Sequence, residues 1–298
     1  MKMLSLGKKS FTLIASALLS TVLLTACGSS QENTQGSGPA AGSSANGSKL
    51  SGTVTVSGST SVQPLAQDLA DIFNETYPDI SVEIQGGGSS QGIKDVTDGT
   101  SDIGESSRDL TPEEKTGLTE HVIAYDGIAV VVNPVNTVAD LSKEQIQKIF
   151  NGEITNWKDV GGKDEQILVV AREASSGTKT AFEELMGLQE KQDGKTVSLV
   201  RKDALVADGN GPVKANIASK ENAIGYLSLG FADNTVKKIS IGGVECSVEN
   251  VKSKSYPISR PFLMLTKGDV SPVTQAFLDF VKSDAGQEIV GKSYITVK

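Results

Sequence analysis

Three turns in this chain carry the same residue types in the same place. They are Gly58-Ser59-Thr60-Ser61-Val62-Gln63-Pro64, Gly86-Gly87-Gly88-Ser89-Ser90-Gln91-Gly92 and Arg172-Glu173-Ala174-Ser175-Ser176-Gly177-Thr178. Hydroxyls and glycines at a helix start present free N–H groups and the positive end of the helix dipole, which together suit an anion. Any one of these turns also reads as an ordinary capped helix, because Ser and Thr are common caps. Three of them meeting at one point would form a cage of N–H and O–H donors.

The elements that must bring them together follow from hydrophobic spacing. Strand-like runs at 53–56, 81–84 and 167–170 end in the three turns, and helical patterns follow each. Val62, Leu65, Leu69, Ile72 and Phe73 fall on one face at helix spacing. Thr60 or Ser61 is the expected N-cap of that helix, with Pro64 tolerated in its first turn. Strands and helices alternate from 53 to about 105, which predicts an α/β fold with a largely parallel sheet.

Further along, Thr111, Pro112 and Glu114 predict a helix start with a capping box. Residues 123–133 read as a strand interrupted by Tyr125-Asp126-Gly127, a crossing between lobes. A helix is expected over 141–149, then a loop over 151–157 in which Trp157 either stacks on a ligand or pins the loop to the body. Gly209-Asn210-Gly211 opens a helix over 208–219, followed by a strand over 221–226. Residues 256–261 lead into a strand at 262–265, and amphipathic helices at 273–281 and 286–290 close the chain. No fixed-period repeat is present.

The chain has 298 residues, enough for two modest domains. Residues 1–26 carry Lys2, Lys8 and Lys9, then an apolar run from 11 to 24 too short to span a bilayer; this reads as a secretory signal. Leu24-Thr25-Ala26-Cys27 resembles a bacterial lipobox, in which the signal is cut before Cys27 and that cysteine is diacylated. Residues 27–48 are Gly-, Ser- and Ala-rich and read as a flexible tether.

Cleavage would remove three lysines and no acid, leaving 25 basic against 36 acidic residues, a charge of −11. Such a chain does not attract nucleic acid through a general positive field. An anion must be held by local dipoles and one or two cations against the net field. Cys246 has no partner for an internal disulfide and is expected as a small buried hydrophobe. The single His121 argues against a zinc site or a Ser-His triad. No cofactor and no oligomerisation signal is seen.

The segments GSTSVQPL, GGGSSQGI, DIGESSR, NGEITNWKDVGG, AREASSGT and YPISRP, in that order, resemble the PstS-type phosphate-binding lipoproteins of bacterial ABC transporters. The resemblance runs from residue 51 to the C-terminus. It implies a two-lobe, type II periplasmic-binding fold with the ligand in the cleft and strand crossovers as the hinge. Lobe I would comprise 49–126 and 258–298, and lobe II 127–257. It implies phosphate contacts at Thr60, Ser61, Ser89, Arg172, Ser176, Gly177 and Thr178. It also implies capture of inorganic phosphate at the outer face of the cell membrane and delivery to permease subunits. An enzyme such as a phosphatase is disfavoured; a binder of another oxyanion, or a tethered sensor or adhesin, is the alternative.

One departure bears on selectivity. Family members place an Asp where this chain has Ser107, and another where it has Ala174. Ser107 accepts a hydrogen bond without charge and is expected at the site. Arg108 either adds a second cation or forms a salt bridge at the rim. Asp126 is either a substitute acceptor for the proton of phosphate or a turn residue. With an acceptor present, phosphate is expected to outcompete sulfate.

Overall fold

The computed structural model describes residues 50–298. The expected signal, Cys27 and the tether lie outside the described residues. Strand β1 (Gly52–Gly58) runs into helix α1 (Gln63–Thr76), then β2 (Ile80–Gly86), α2 (Ser89–Asp98) and β3 (Ile103–Ser106). Strand β4 (Leu118–Val132) is 15 residues long. There follow β5 (Asp140–Leu141), α3 (Lys143–Asn151), β6 (Leu168–Arg172) and α4 (Gly177–Met186). A hairpin of β7 (Gln189–Gln192) and β8 (Lys195–Ser198) precedes β9 (Leu205–Ala207), α5 (Asn210–Ser219) and β10 (Ala223–Ser228). Short β11 (Lys237–Lys238), β12 (Ser240–Ile241) and α6 (Val248–Lys252) lead to β13 (Ser259–Lys267), α7 (Pro272–Lys282) and α8 (Asp284–Val290).

The main sheet runs in the order β2-β1-β3-β13-β4-β10-β6-β9. Its two wings are parallel, β1 with β2 and β3 on one side and β6 with β10 and β9 on the other. The middle is antiparallel. Residues 118–127 of β4 pair with β13, and residues 128–132 pair with β10. One strand thus belongs to both halves of the molecule.

Two large hydrophobic cores lie on either side of that point. One is built from residues 54–124 and 262–294, with Phe73, Ile103, Phe262 and Phe277 buried in it. The other draws on residues 128–258 and Ile295, with Phe150, Trp157, Phe182 and Tyr226 at its centre. The alternation of βα units puts every helix start of the parallel wings at the same end of its strands, which is where the glycine turns lie.

The structure corrects three local expectations and decides between the two readings of a fourth. Tyr125-Asp126-Gly127 does not interrupt β4; these residues keep the ladder, with Arg260 opposite Asp126 and Ser259 opposite Gly127. Thr111 and Glu114 exchange the bonds of a capping box, 3.0 and 3.3 Å, yet no helix follows. Gly117 at φ +77° turns the chain, and β4 begins at the next residue. The N-cap of α1 is Val62, with no side-chain cap bond. Ser59 serves that turn instead, its carbonyl accepting from Val62 and Gln63 N–H. Trp157 is buried and its Nε1 donates to the Asn222 carbonyl at 2.9 Å, so it pins the loop.

Candidate functional site

The three turns converge. The Ser61 and Thr178 hydroxyls, 117 residues apart in sequence, lie 2.8 Å from each other. Ser90 N–H donates to the Ser175 carbonyl at 3.1 Å, joining the second turn to the third. Arg172 Nη2 donates to Thr60 Oγ1 at 3.1 Å, joining the third to the first. Each of these bonds links one core to the other. Ser61, Ser89, Ser107, Arg172, Ser176 and Thr178 are all buried.

Glycine at position 177 is required by this convergence. A Cβ there would stand 2.1 Å from Ser89 Oγ and 2.8 Å from Ser107 Oγ. Gly88 is required too, since it sits at φ +88° with Ser175 backbone 2.6 Å from its would-be Cβ. Ser176 plays a different part from its neighbours. Its hydroxyl accepts from Lys179 N–H at 3.1 Å and caps α4, fixing the direction of the helix start.

Around Ser107 the hydroxyls form a chain. Ser59 Oγ donates to Ser107 Oγ at 2.8 Å, and Ser107 N–H donates to Ser89 Oγ at 3.0 Å. The Ser89 and Ser107 hydroxyls are 3.3 Å apart. Ser107 therefore lies against Ser59 and Ser89 in this cluster.

Arg172 is held by its neighbour. Its Nε and Nη2 each donate to the Glu173 carboxylate at 2.7 Å, while its Nη1 is buried with no partner among the described residues. A buried guanidinium N–H left unpaired is costly, and this one is adjacent to the hydroxyl cluster through Thr60. Burial raises the Glu173 carboxyl, but the Arg172 bonds outweigh it and hold the group below the usual carboxylate range.

Asp126 does not keep a free lone pair for a ligand's proton. Its Oδ2 accepts from Arg260 Nε and Nη2 at 3.1 and 2.9 Å, and its Oδ1 from Ser228 Oγ and Leu229 N–H at 3.0 and 3.2 Å. It is a strand residue in a buried ion pair, neither the substitute acceptor nor a turn residue. Burial raises its pKa and lowers that of Arg260, and the contact between the two charges offsets this desolvation only in part. Arg108 is salt-bridged to Glu114 at 2.7 Å, with its Nη2 only 3.5 Å from Ser90 Oγ. It is the rim ion pair of the two alternatives.

Four residues at this point were not singled out by sequence. Arg260 donates to Ser61 Oγ at 3.1 Å and to the Ser107 carbonyl at 3.0 Å. Asn210 Nδ2 donates to Ser61 Oγ at 2.9 Å. Ser59 and Glu173 complete the set. Each lies inside a segment whose motif was visible, so the signal was there but not the side-chain direction. Glu105 is a different surprise. It stands in register with Gly58 and Met264, fully buried, both carboxyl oxygens unpartnered, and burial pushes it up to about 8.

Among the described residues no group of three or more His, Cys, Asp or Glu could hold a metal ion. No described helix is long and apolar enough to cross a membrane. The arrangement is a buried cluster of hydroxyl donors with the guanidinium groups of Arg172 and Arg260 against it, suited to a small oxyanion.

Known proteins share this fold. Residues 36–285 match the model of a PBP superfamily domain. The phosphate-binding protein PstS of Bacillus subtilis is 36% identical over 284 residues, covering 93% of this chain and 90% of the relative. An X-ray structure from Clostridium perfringens, assigned as a phosphate ABC transporter substrate-binding protein and holding bound phosphate, superposes with a TM-score of 0.79 at 44% identity, covering 83% of this chain and all of that one. An ABC-type phosphate transport receptor from Vibrio cholerae gives a TM-score of 0.70 at 39% identity, covering 82% and 100%. The fold is the two-lobe type II periplasmic-binding fold, with β4 running through both halves of the sheet. The chain belongs to the PBP superfamily and, within it, to the PstS-type phosphate-binding proteins.

Proposed function

We propose that this chain captures inorganic phosphate outside the cytoplasmic membrane and delivers it to the permease of an ABC importer. The observation that carries the reading is the Arg172 guanidinium, clamped on one edge by Glu173, donating through Nη2 to Thr60 at the converged turns, and left with a buried, unpaired Nη1. Thr60, Ser89, Ser107, Arg172, Ser176, Gly177 and Thr178 are the proposed phosphate contacts, with Ser61 orienting Thr178 and Ser176 also capping α4. A hydrogen bond to a charged group contributes about 1.5–3 kcal/mol. Micromolar affinity needs about −8 kcal/mol, so several such donors suffice after desolvation and ordering are subtracted.

The lobes are taken as 49–126 with 258–298, and 127–257. Phosphate contacts on both lobes would favour the closed state by differential binding, with Asp126 and Arg260 at the hinge. The signal at 1–26, a diacylated Cys27 and the tether to residue 48 fit a monomer anchored at the outer face of the membrane; two acyl chains suffice for stable anchoring. The chain acts as a binder and catalyses no reaction. Retention of labelled phosphate in equilibrium dialysis, with no release of phosphate from a chromogenic ester, is the expected outcome. Turnover of the ester would replace this reading with an enzymatic one.

A further inference from the structure

Ser61 has one O–H to donate and two lone pairs with which to accept. Both lone pairs are taken. Asn210 Nδ2 donates to Ser61 Oγ at 2.9 Å and Arg260 Nη2 donates to it at 3.1 Å. Neither donor can reverse. Asn210 is fixed in orientation because its Oδ1 accepts from Ser228 N–H at 3.1 Å, and a guanidinium has no acceptor. The Ser61 proton therefore points at its remaining neighbour, Thr178 Oγ1, at 2.8 Å. Thr178, accepting there, keeps its own proton for the cage.

We infer that Asn210 and Arg260 are positioning residues that lock Ser61 as the donor to Thr178, so that Thr178 turns its own proton to the ligand, this wall of the cage reads a deprotonated oxygen of phosphate, and the dianion is bound in preference to the monoanion. The inference rests on the phosphate-binding reading. The opposite wall differs. Ser107 Oγ accepts from Ser59, and its 3.3 Å bond to Ser89 Oγ can run in either direction, so this side is free to turn a lone pair to the remaining proton of phosphate.

Charged groups around the cage are paired and shared by any variant of Asn210. They are Arg172 with Glu173, Arg260 with Asp126, and Arg108 with Glu114. Glu105 on β3 is the buried titratable group nearest in sequence to Ser107, and it is the same in both proteins compared below.

The test is calorimetric titration with phosphate, below and above its second ionisation, of the wild type and of Asn210→Ala. The variant frees one Ser61 lone pair and lets the hydroxyl turn. The wild type is expected to bind more tightly as the dianion becomes dominant. Asn210→Ala is expected to lose about tenfold at the higher pH and much less at the lower, flattening the profile. Sulfate, which carries no proton, is expected to lose affinity as the phosphate dianion does. An equal loss at both pH values would overturn the inference and leave Asn210 a packing residue. Should Asn210→Ala fail to fold, Ser61→Ala gives the same comparison, because it releases Thr178 from the lock. Absence of phosphate binding by the wild type at every pH would instead overturn the phosphate-binding reading itself.

Discussion

Asp126 and Arg260 stand directly opposite one another on β4 and β13, 2.9 Å apart, at the point where β4 passes from one core to the other. The pair ties β4 to β13 and reaches both walls of the cage. Arg260 contacts Ser61 and Ser107, while Asp126 contacts Ser228 and Leu229. Removing one partner of a buried pair leaves the other charge uncompensated. Asp126→Asn should cost about 3–5 kcal/mol of stability, read as a shift of the urea midpoint at unchanged slope. A loss below about 1 kcal/mol would mean that water already screens the pair.

Glu105 makes stability depend on pH in the direction opposite to a salt-bridged carboxylate. Its folded pKa, about 8, lies above the unfolded value because burial disfavours the charge. The folded state then holds a proton that the unfolded state releases, so stability is full below the ordinary glutamate range and declines as pH rises toward about 8. Glu105→Gln keeps the shape and removes the titration. It should stabilise the protein by a few kcal/mol above neutral pH and by little in mild acid. Parallel stability profiles for the two proteins would show that Glu105 does not titrate in this range.

Arg172→Ala should weaken phosphate binding by about 1–3 kcal/mol or more, with the fold retained. The effect is read by calorimetry alongside circular dichroism. The buried Nη1 is the atom at stake, and unchanged affinity would remove Arg172 from the site.

Gly177→Ala tests convergence rather than charge. The added methyl would meet Ser89 Oγ at 2.1 Å, so the lobes must separate or the serine must turn away. Overpacking of this kind costs about 1–3 kcal/mol, which at about 1.4 kcal/mol per decade predicts roughly a tenfold or greater loss in phosphate affinity. Wild-type affinity in this variant would mean that the closed geometry is not the one that binds.

The parts legible in the sequence were those encoded locally. Strand, glycine turn and helix start follow one another in the chain, so the three turns and their hydroxyls could be read from spacing alone. Asn210 lies in a fourth such turn and Arg260 in one of the family segments, yet nothing local marks either. Their roles depend on where a side chain points across 149 and 199 residues of sequence separation. Asp126 was read as punctuation because Asp-Gly favours turns; its pairing with Arg260 overrode that local preference and kept the strand straight. Thr111 and Glu114 show the reverse, a capping box formed in full without the helix it usually begins.

The account stands on one oxyanion enclosed between turns from both lobes. Isothermal titration of the purified protein with inorganic phosphate measures this directly. One saturable site per chain with micromolar or tighter affinity, weakened by both Arg172→Ala and Gly177→Ala, is the predicted result. No saturable heat, or a site that neither substitution disturbs, would contradict it.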